Sequence, residues 1–456
     1  MSLKLYNTKT RSKDEFKPLS KKKVGMYSCG PTVYSSAHIG NMRSFTMADI
    51  LKRTLLFLGY DVKHVMNITD VGHLISETDQ DKMEEAAKRE KKSAQEIAQF
   101  YTDEFMNDMK ELNLLPADVF PKATEHIEEQ IELVKILEEK GLTYKISDGI
   151  YFDTSKFPEY GKLSGQKTED KEEGARVAKN PEKKNISDFA LWKFSPKDEQ
   201  RQMEWESPWG IGFPGWHVEC SAMSVKHLGQ PFDIHTGAID LIPVHHENEI
   251  AQSKAAYGQP LADWWIHGEF VVLGDDKMAK SDGNVVSLTD IKKQGFNPLS
   301  YRYLILNTHY RSPLTFTTEA LEAAQNALFN IRNEVRDWNK PDHVDEKWLT
   351  QFKEKLEDDL NTPQALALMW EIIKSDHPSS MKAATLLHMD HVLGLQLDKW
   401  IAIPLEVPDE ITKLAADRNA ARDAKNFNLS DTLRQKIEDA GYLIEDTKKG
   451  TKITEK

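Results

Sequence analysis

Val24-Gly25-Met26-Tyr27-Ser28-Cys29-Gly30-Pro31, then His38-Ile39-Gly40-Asn41, then Arg43 to Leu58, reads as strand, turn and helix. Val24 to Tyr27 is a short run bounded by lysines on one side and by Cys29-Gly30-Pro31 on the other. Leu51, Leu55 and Leu58 recur at helical spacing, and Gly59 stops the helix. The next strand, Val62 to Ile68, ends at Asn67-Ile68-Thr69-Asp70. A βαβ unit of this length requires a parallel sheet, with ligands bound at the carboxyl ends of its strands. Cys29 and His38 both fall just past the first strand, where such a site forms.

Downstream of this unit, residues 121–199 read as an insertion. A charged helix from His126 to Lys140 leads through Gly141 to strand-rich sequence around Tyr151-Phe152-Asp153. Lys167 to Asn185 is almost all charged or small and reads as a mobile loop. Aromatic sequence resumes at Phe189 and runs through Trp192, Trp205, Trp209, Phe213 and Trp216. Past residue 310 the pattern is helical: Leu321, Ala324, Leu328, Ile331, Val335 and Trp338 form one apolar stripe. Helices are also expected from Trp348 to Leu356 and after Thr362-Pro363, where proline suits a first turn. Pro404 and Pro408 punctuate a break, and the tail offers a helix pair and a short strand, Tyr442 to Ile444. The architecture is α/β at the front and helical at the back.

At 456 residues, two to four domains are expected. No apolar run of about 18 residues is present, so no membrane span is expected. The start, Met1-Ser2-Leu3-Lys4-Leu5, lacks the apolar core of a secretory signal. The only cysteines, Cys29 and Cys220, suit thiols or metal ligands in a reducing cytoplasm better than a disulfide. A net charge of −13 argues against nucleic-acid binding driven by overall charge, yet leaves room for a local basic face. Lys21 to Lys23 form one cluster, and Arg418, Arg422, Lys425, Arg434 and Lys436 a looser one; a solvated surface is the ordinary reading of both.

His38-Ile39-Gly40-Asn41 lies where a strand gives way to a helix and free backbone N–H groups attract phosphate. His38 can donate to a phosphate oxygen, Gly40 allows close backbone approach, and Asn41 adds a neutral donor. Lys277-Met278-Ala279-Lys280-Ser281, followed by Asp282-Gly283-Asn284, makes a cationic loop suited to neutralising charge in phosphoryl or nucleotidyl transfer. Each alone fits an ordinary structural role, a satisfied histidine or a surface turn; the two together are more telling.

These two stretches resemble the HIGH and KMSKS elements of class I aminoacyl-tRNA synthetases. Within that class, Tyr27 to Tyr34, Gly215 to Met223 and His245-His246-Glu247-Asn248-Glu249 are similar to cysteinyl-tRNA synthetases, in the expected order along nearly the whole chain. Both cysteines fall inside these stretches, and His245 and Glu249, four apart, share a helix face. Cys29, Cys220, His245 and Glu249 would give a tetrahedral zinc set of two sulfurs, one nitrogen and one oxygen. Buried thiols are the plain alternative. A zinc hydrolase is disfavoured, because no His-Glu-x-x-His pattern is present.

The resemblance implies a Rossmann-like parallel-sheet catalytic domain over 1–120 and 200–265 with an inserted connective segment at 121–199. It further implies a KMSKS-type and stem-contact region at 266–310, a helical bundle at 311–403 and a small mixed anticodon-binding domain at 404–456. The implied activity is ATP-dependent activation of cysteine to its adenylate, then transfer to the terminal ribose of transfer RNA, with zinc reading the thiolate. His38, Asn41, Lys277 and Lys280, with Mg²⁺, would stabilise charge on the phosphates. ATP would also meet Gly40, Asp240 and Ser281. The amino acid would meet Gly30, Thr32, Thr69 and Trp216, although Trp216 equally suits core packing and Asp240 equally suits the substrate ammonium. Arg418, Arg422 and Lys425 are spaced to share roughly one helix face, suited to phosphate contacts. A monomer is expected. Four departures from the commonest pattern stand out: Asn41 in place of histidine, Ala279 in place of serine, Thr236-Gly237-Ala238 where glycines are usual, and Pro243-Val244 for Phe-Pro. Rival readings are a ligase joining cysteine to an amino-sugar, against which the anticodon-like tail speaks, and a silent tRNA-binding paralogue, against which His38, Lys277 and Lys280 speak.

Overall fold

The computed structural model describes residues 2–72, 81–165, 180–196, 201–274, 286–447 and 450–455. Its organising element is strand β1 (Lys23–Ser28), followed by helix α1 (Ile39–Phe57) and strand β2 (Asp61–Met66). β1 runs parallel to β2 in the register Lys23↔Asp61 to Ser28↔Met66. Strands β3 (Phe232–Ala238) and β4 (Ala262–Gly268) complete a parallel sheet in the order β4-β3-β1-β2. Ser28, Met66, Ala238 and Gly268 therefore end at one edge, and the candidate site gathers there. Helices α2 (Trp216–Leu228) and α3 (Glu247–Tyr257) flank β3 in sequence.

Helix α1 begins four residues before the expected Arg43. The His38 ring Nδ1 accepts the Asn41 N–H at 3.1 Å, and the Asn41 side-chain oxygen accepts the His38 N–H at 3.2 Å, so each end of the pair satisfies a donor of the open first turn. Leucine spacing carries no signal from so polar a turn. α1 is buried on nearly all sides, and its buried charged side chains are met by acids or by backbone carbonyls. The Asp49 carboxylate accepts from Arg53 at 2.8 Å, from Arg302 at 2.7 Å and from the Leu115 N–H at 2.7 Å. Arg302 sits on the helix Pro298–Leu306 and also donates to the Leu393 carbonyl, joining α1 to the helices at the back.

The insertion carries the helix Ile127–Glu139 and an antiparallel sheet with its own core of Leu133, Val134, Leu137, Ile150, Phe152, Leu191 and Trp192. Its strands are Thr143–Ile146, Gly149–Phe152, Phe189–Phe194 and Gly212–Pro214. The fourth strand lies beyond the expected boundary at 199. It is three residues long and shows no alternation; Gly212 is needed because a Cβ there would fall 2.0 Å from the Lys193 carbonyl oxygen. The expected mobile loop lies outside the described residues up to position 179.

Thr318–Arg336 buries the anticipated stripe of Leu321, Ala324, Leu328, Ile331 and Val335, and Trp338 is buried just beyond it. Glu346–Glu357, Thr362–Lys374 and Ser379–Leu393 follow, with Pro363 in the first turn of its helix. The tail forms Asp409–Asp423, Phe427–Asp439 and a hairpin of Tyr442–Thr447 with Gly450–Glu455, around Ile411, Ala415, Ile437 and Ile444. Here one expectation is corrected. Arg418 is buried and forks onto the Asp446 carboxylate at 2.6 and 2.9 Å, and Arg422 pairs with the same group, so Arg418 fastens helix to hairpin and does not face phosphates. Among the described residues, no helix is long and apolar enough to cross a membrane.

Candidate functional site

Cys29 follows the last residue of β1, held by its N–H on the Thr236 carbonyl of β3 at 3.1 Å. Cys220 comes from the buried face of α2, and Glu249 from the first turn of α3, one turn after His245. The Sγ of each cysteine, an imidazole nitrogen of His245 and a carboxylate oxygen of Glu249 all lie within 4.8 Å of one another. A tetrahedral zinc with ligand bonds near 2.0–2.3 Å has ligand-to-ligand edges of roughly 3.3–3.8 Å. The donor set thus fits the ion in chemistry and nearly in spacing.

A second ring of histidines orients these groups. Glu249 receives His245 on Oε1 at 3.0 Å and His235 on Oε2 at 2.9 Å. His245 meets His217 nitrogen to nitrogen at 3.0 Å through Nδ1, which leaves Nε2 facing Glu249. His246 lies 3.2 Å from the Cys29 sulfur through Nε2, and its Nδ1 meets His267 at 2.7 Å, which meets Thr8 at 2.7 Å. Cys29, His235, His246 and Glu249 also cluster closely enough to hold an ion. That set offers one sulfur instead of two, and its histidines are hydrogen-bonded to members of the first set, as groups supporting a metal's ligands usually are.

Burial would raise the Glu249 carboxyl, but the His235 and His245 imidazoles outweigh it and hold the group near 2. Burial would lower His245, but Glu249 and then Cys220 raise it to about 10. The Cys29 thiol is pushed up by burial and donates to Cys220, which that hydrogen bond pulls down to about 7. The Cys220 and Glu249 anions are thus balanced in part by a proton on His245, which a divalent cation would displace in taking these groups as ligands.

Next to this centre lie Gly30, Asn67, Thr69 and Glu219, with Asn67 Oδ1 at 3.7 Å from the Cys220 sulfur. The Gly30 N–H donates to Asn67 Oδ1 at 2.8 Å, and a Cβ on Gly30 would sit 1.7 Å from the Asn67 carbonyl oxygen, so only glycine fits. Thr32 bridges to Thr69, whose hydroxyl donates to the buried Glu219 carboxylate at 2.8 Å. Trp216, at the first turn of α2, is 39% exposed and lies against His245 with ring centroids 4.5 Å apart and planes tilted by 42°. That exposure is not the core packing that its sequence equally suited.

On the nucleotide side, the hydrogen bond from Asn41 N–H occupies His38 Nδ1. In the neutral ring the proton then sits on Nε2, a donor. Burial lowers the His38 pKa, and Asp240 acts in the opposite direction, so the two side chains share one electrostatic neighbourhood. A Cβ on Gly40 would come within 3.0 Å of the His38 ring. Lys277, Lys280 and Ser281 lie outside the described residues. Both flanks of that segment are placed, however: Ile39 N–H donates to the Val286 carbonyl at 2.8 Å, and Gly274 N–H to that of Phe316 at 3.0 Å.

Sequence reading took Cys29, Cys220, His245 and Glu249 and missed His217, His235, His246, His267, Glu219 and Asn67. The signal was there for His235, a histidine in the strand-like stretch Phe232-Asp233-Ile234-His235, and for His246 in the doublet with His245.

A family profile described as "tRNA synthetases class I (C) catalytic domain" matches residues 15–326, and one described as "DALR domain" matches 351–375. The chain is 47% identical over 456 residues to cysteine–tRNA ligase 1 of Burkholderia lata, covering 99% of this chain and 97% of that one. It is 44% identical over 485 residues to the cysteine–tRNA ligase of Treponema denticola, covering 98% of each. Among solved structures, Mycobacterium tuberculosis methionyl-tRNA synthetase in complex with methionyl-adenylate is similar at a TM-score of 0.55 and 16% identity, over 82% of this chain and 90% of that one, a likeness of fold.

Proposed function

The chain belongs to the cysteine–tRNA ligase family of class I aminoacyl-tRNA synthetases, and on that premise we propose how its residues divide the work of ligating cysteine to transfer RNA. The observation that carries the proposal is the convergence of Cys29, Cys220, His245 and Glu249 donor atoms within 4.8 Å at the carboxyl edge of the sheet. These four hold a zinc ion, which when bound supplies a soft Lewis acid that takes a thiolate far more readily than a hydroxyl. A pocket reading shape alone discriminates a near-isostere by only about 10²-fold, so serine is excluded by ligand softness.

Thr69, oriented by Glu219, and the backbone around Gly30 bind the amino acid, and Trp216 covers it. The substrate carboxylate attacks the α-phosphorus of ATP; the bond to pyrophosphate breaks and cysteinyl-adenylate forms. His38 donates from Nε2 to a phosphate oxygen, the amide of Asn41 adds a second neutral donor, and Lys277, Lys280 and Ser281 with the Mg²⁺ of the nucleotide meet the remaining charge. Asp240 serves the ribose or the ammonium. The terminal ribose hydroxyl of the transfer RNA then attacks the acyl carbon and AMP leaves. No protein nucleophile takes part. All the groups named come from one chain, which supports a complete site per monomer; the cytoplasm, where thiols stay reduced, suits that centre.

Metal analysis joined to a cysteine-versus-serine activation assay tests this reading. Cys220→Ser is expected to bind less than one zinc per chain and to lose at least tenfold of its discrimination against serine. Unchanged metal content and selectivity would count against the ligand set. Charging of an amino-sugar amine in place of transfer RNA, or no cysteine-dependent exchange of pyrophosphate into ATP, would favour the two rival readings respectively.

A further inference from the structure

Arg43 lies five residues past His38 in α1 and is only 2% exposed. A guanidinium so placed must spend its donors on partners, because burying it unpaired is costly. Its partners are backbone carbonyls of two segments distant in sequence: one terminal nitrogen donates to Phe270, the other to Ser312 and, at 3.4 Å, to His309. Phe270 precedes the strand Val271–Leu273, which pairs in parallel with Leu314–Phe316, and the Phe270 carbonyl also receives the Leu314 N–H at 2.9 Å. Arg43 therefore grips the point where these two strands start together.

Val271–Leu273 leads in sequence toward Lys277 and Lys280, and Val286 follows them. Ile39, one helical turn before Arg43 on the same face of α1, donates its N–H to the Val286 carbonyl at 2.8 Å, and its own carbonyl receives the Tyr301 hydroxyl at 2.7 Å. The first turn and a half of α1 thus binds both chain segments that bracket the two lysines, and it carries His38 and Asn41 at its cap.

We propose that Arg43 is a positioning residue for the activation step: it fixes the strand Val271–Leu273, the described flank on the N-terminal side of Lys277, against the helix that carries His38. The proposal rests on the reading of His38, Lys277 and Lys280 as phosphate ligands. It goes further in one respect: only the half-reaction in which pyrophosphate departs should depend on Arg43. Transfer of the acyl group to the ribose comes after the triphosphate is gone.

The test compares Arg43→Lys and Arg43→Gln in the full-length enzyme, with melting temperature measured alongside. Misplacement of about 1 Å costs on the order of 10² in rate. Cysteine-dependent pyrophosphate exchange should fall by about that factor in Arg43→Gln and by less in Arg43→Lys, which can still reach one or two of the carbonyls. Zinc content, cysteine binding measured by calorimetry, and single-turnover transfer from pre-formed enzyme-bound adenylate should stay within about twofold of the parent. If both half-reactions fall together, or neither falls while the melting temperature drops, Arg43 is merely structural and the proposal is overturned. Should Arg43→Gln fail to fold, Arg43→Lys alone decides by the same split. A parent enzyme without cysteine-dependent exchange would instead overturn the underlying reading, whatever the Arg43 variants do.

Discussion

At the scale of single residues, the site separates what favours the fold from what the chemistry needs. Gly40 is the second residue of α1, where alanine would ordinarily add about 0.5–1 kcal/mol of helix stability. Yet a Cβ there would approach Cε1 and Nδ1 of His38 to 3.0 Å, so the ring must move by a few tenths of an ångström. That movement disturbs the hydrogen bond that fixes the tautomer and the aim of Nε2. Gly40→Ala is expected to melt near the parent temperature, the helix gain offset by the weakened cap, while pyrophosphate exchange falls about tenfold; a large loss of stability alongside the loss of exchange would contradict this account. The same residues show what a sequence tells a reader. Cys29 and Cys220 were legible because two cysteines in a long chain are conspicuous and each sits in a recognisable stretch. His267 was not, because its place behind His246 arises from the parallel register of β3 and β4, His267↔Gly237, and no spacing along the chain encodes that pairing.

Secondary-structure elements were legible where one face is apolar and hidden where the pattern is short or charged. The stripe of Thr318–Arg336 announced itself, whereas the hairpin Lys4–Asn7 with Ser12–Glu15 and the helices Lys82–Glu90 and Ala94–Glu111 did not. Ala94–Glu111 is informative because it buries an acid among acids. Asp108 is 2% exposed, and burial, with Glu104 and then Glu111 adding repulsion, raises its carboxyl to about 7; Lys292 offsets only part. A carboxyl whose folded pKa exceeds its ordinary value of 3.8 favours the fold when protonated. Its contribution is full below that ordinary value and is lost as pH climbs through about 7. Asp108→Asn, which stays neutral, should therefore melt higher than the parent at pH 8, with the advantage shrinking steadily toward pH 4. Melting curves across that range check the sign, and an advantage that did not change with pH would exclude ionisation as its cause.

On the scale of the whole molecule, the two half-reactions draw on different parts of the chain. In the proposed function, activation draws on the carboxyl edge of β1 to β4 and on α1 to α3, all before residue 320. The helices behind cannot be spared, since Arg302, ion-paired with Asp49 of α1, also donates to the Leu393 carbonyl, and Arg53 of α1 to that of His391; removing one partner of such a buried pair costs on the order of 3–5 kcal/mol. The tail differs. Ile411, Ala415, Ile437 and Ile444 form a core separate from the main one, and the tail meets the preceding helices through surface contacts such as Lys452 with Asp337 at 2.8 Å. With a net charge of −13, the chain attracts no polyanion by its overall field, so transfer RNA must be held by local surfaces; a tail that carried one of them, as the resemblance implies, would raise the effective concentration of the acceptor end at the site. Ending the chain after Ile403 should accordingly leave zinc content and cysteine-dependent pyrophosphate exchange within about twofold of the parent, while kcat/KM for charging transfer RNA falls about 10²-fold, within the range that linked binding surfaces supply. The loss should appear as a raised KM for transfer RNA and vanish when transfer is measured at saturating concentration. A truncated chain that charges transfer RNA normally would show that the tail does not take part in holding it, and one that loses exchange as well would show that the two cores are not independent.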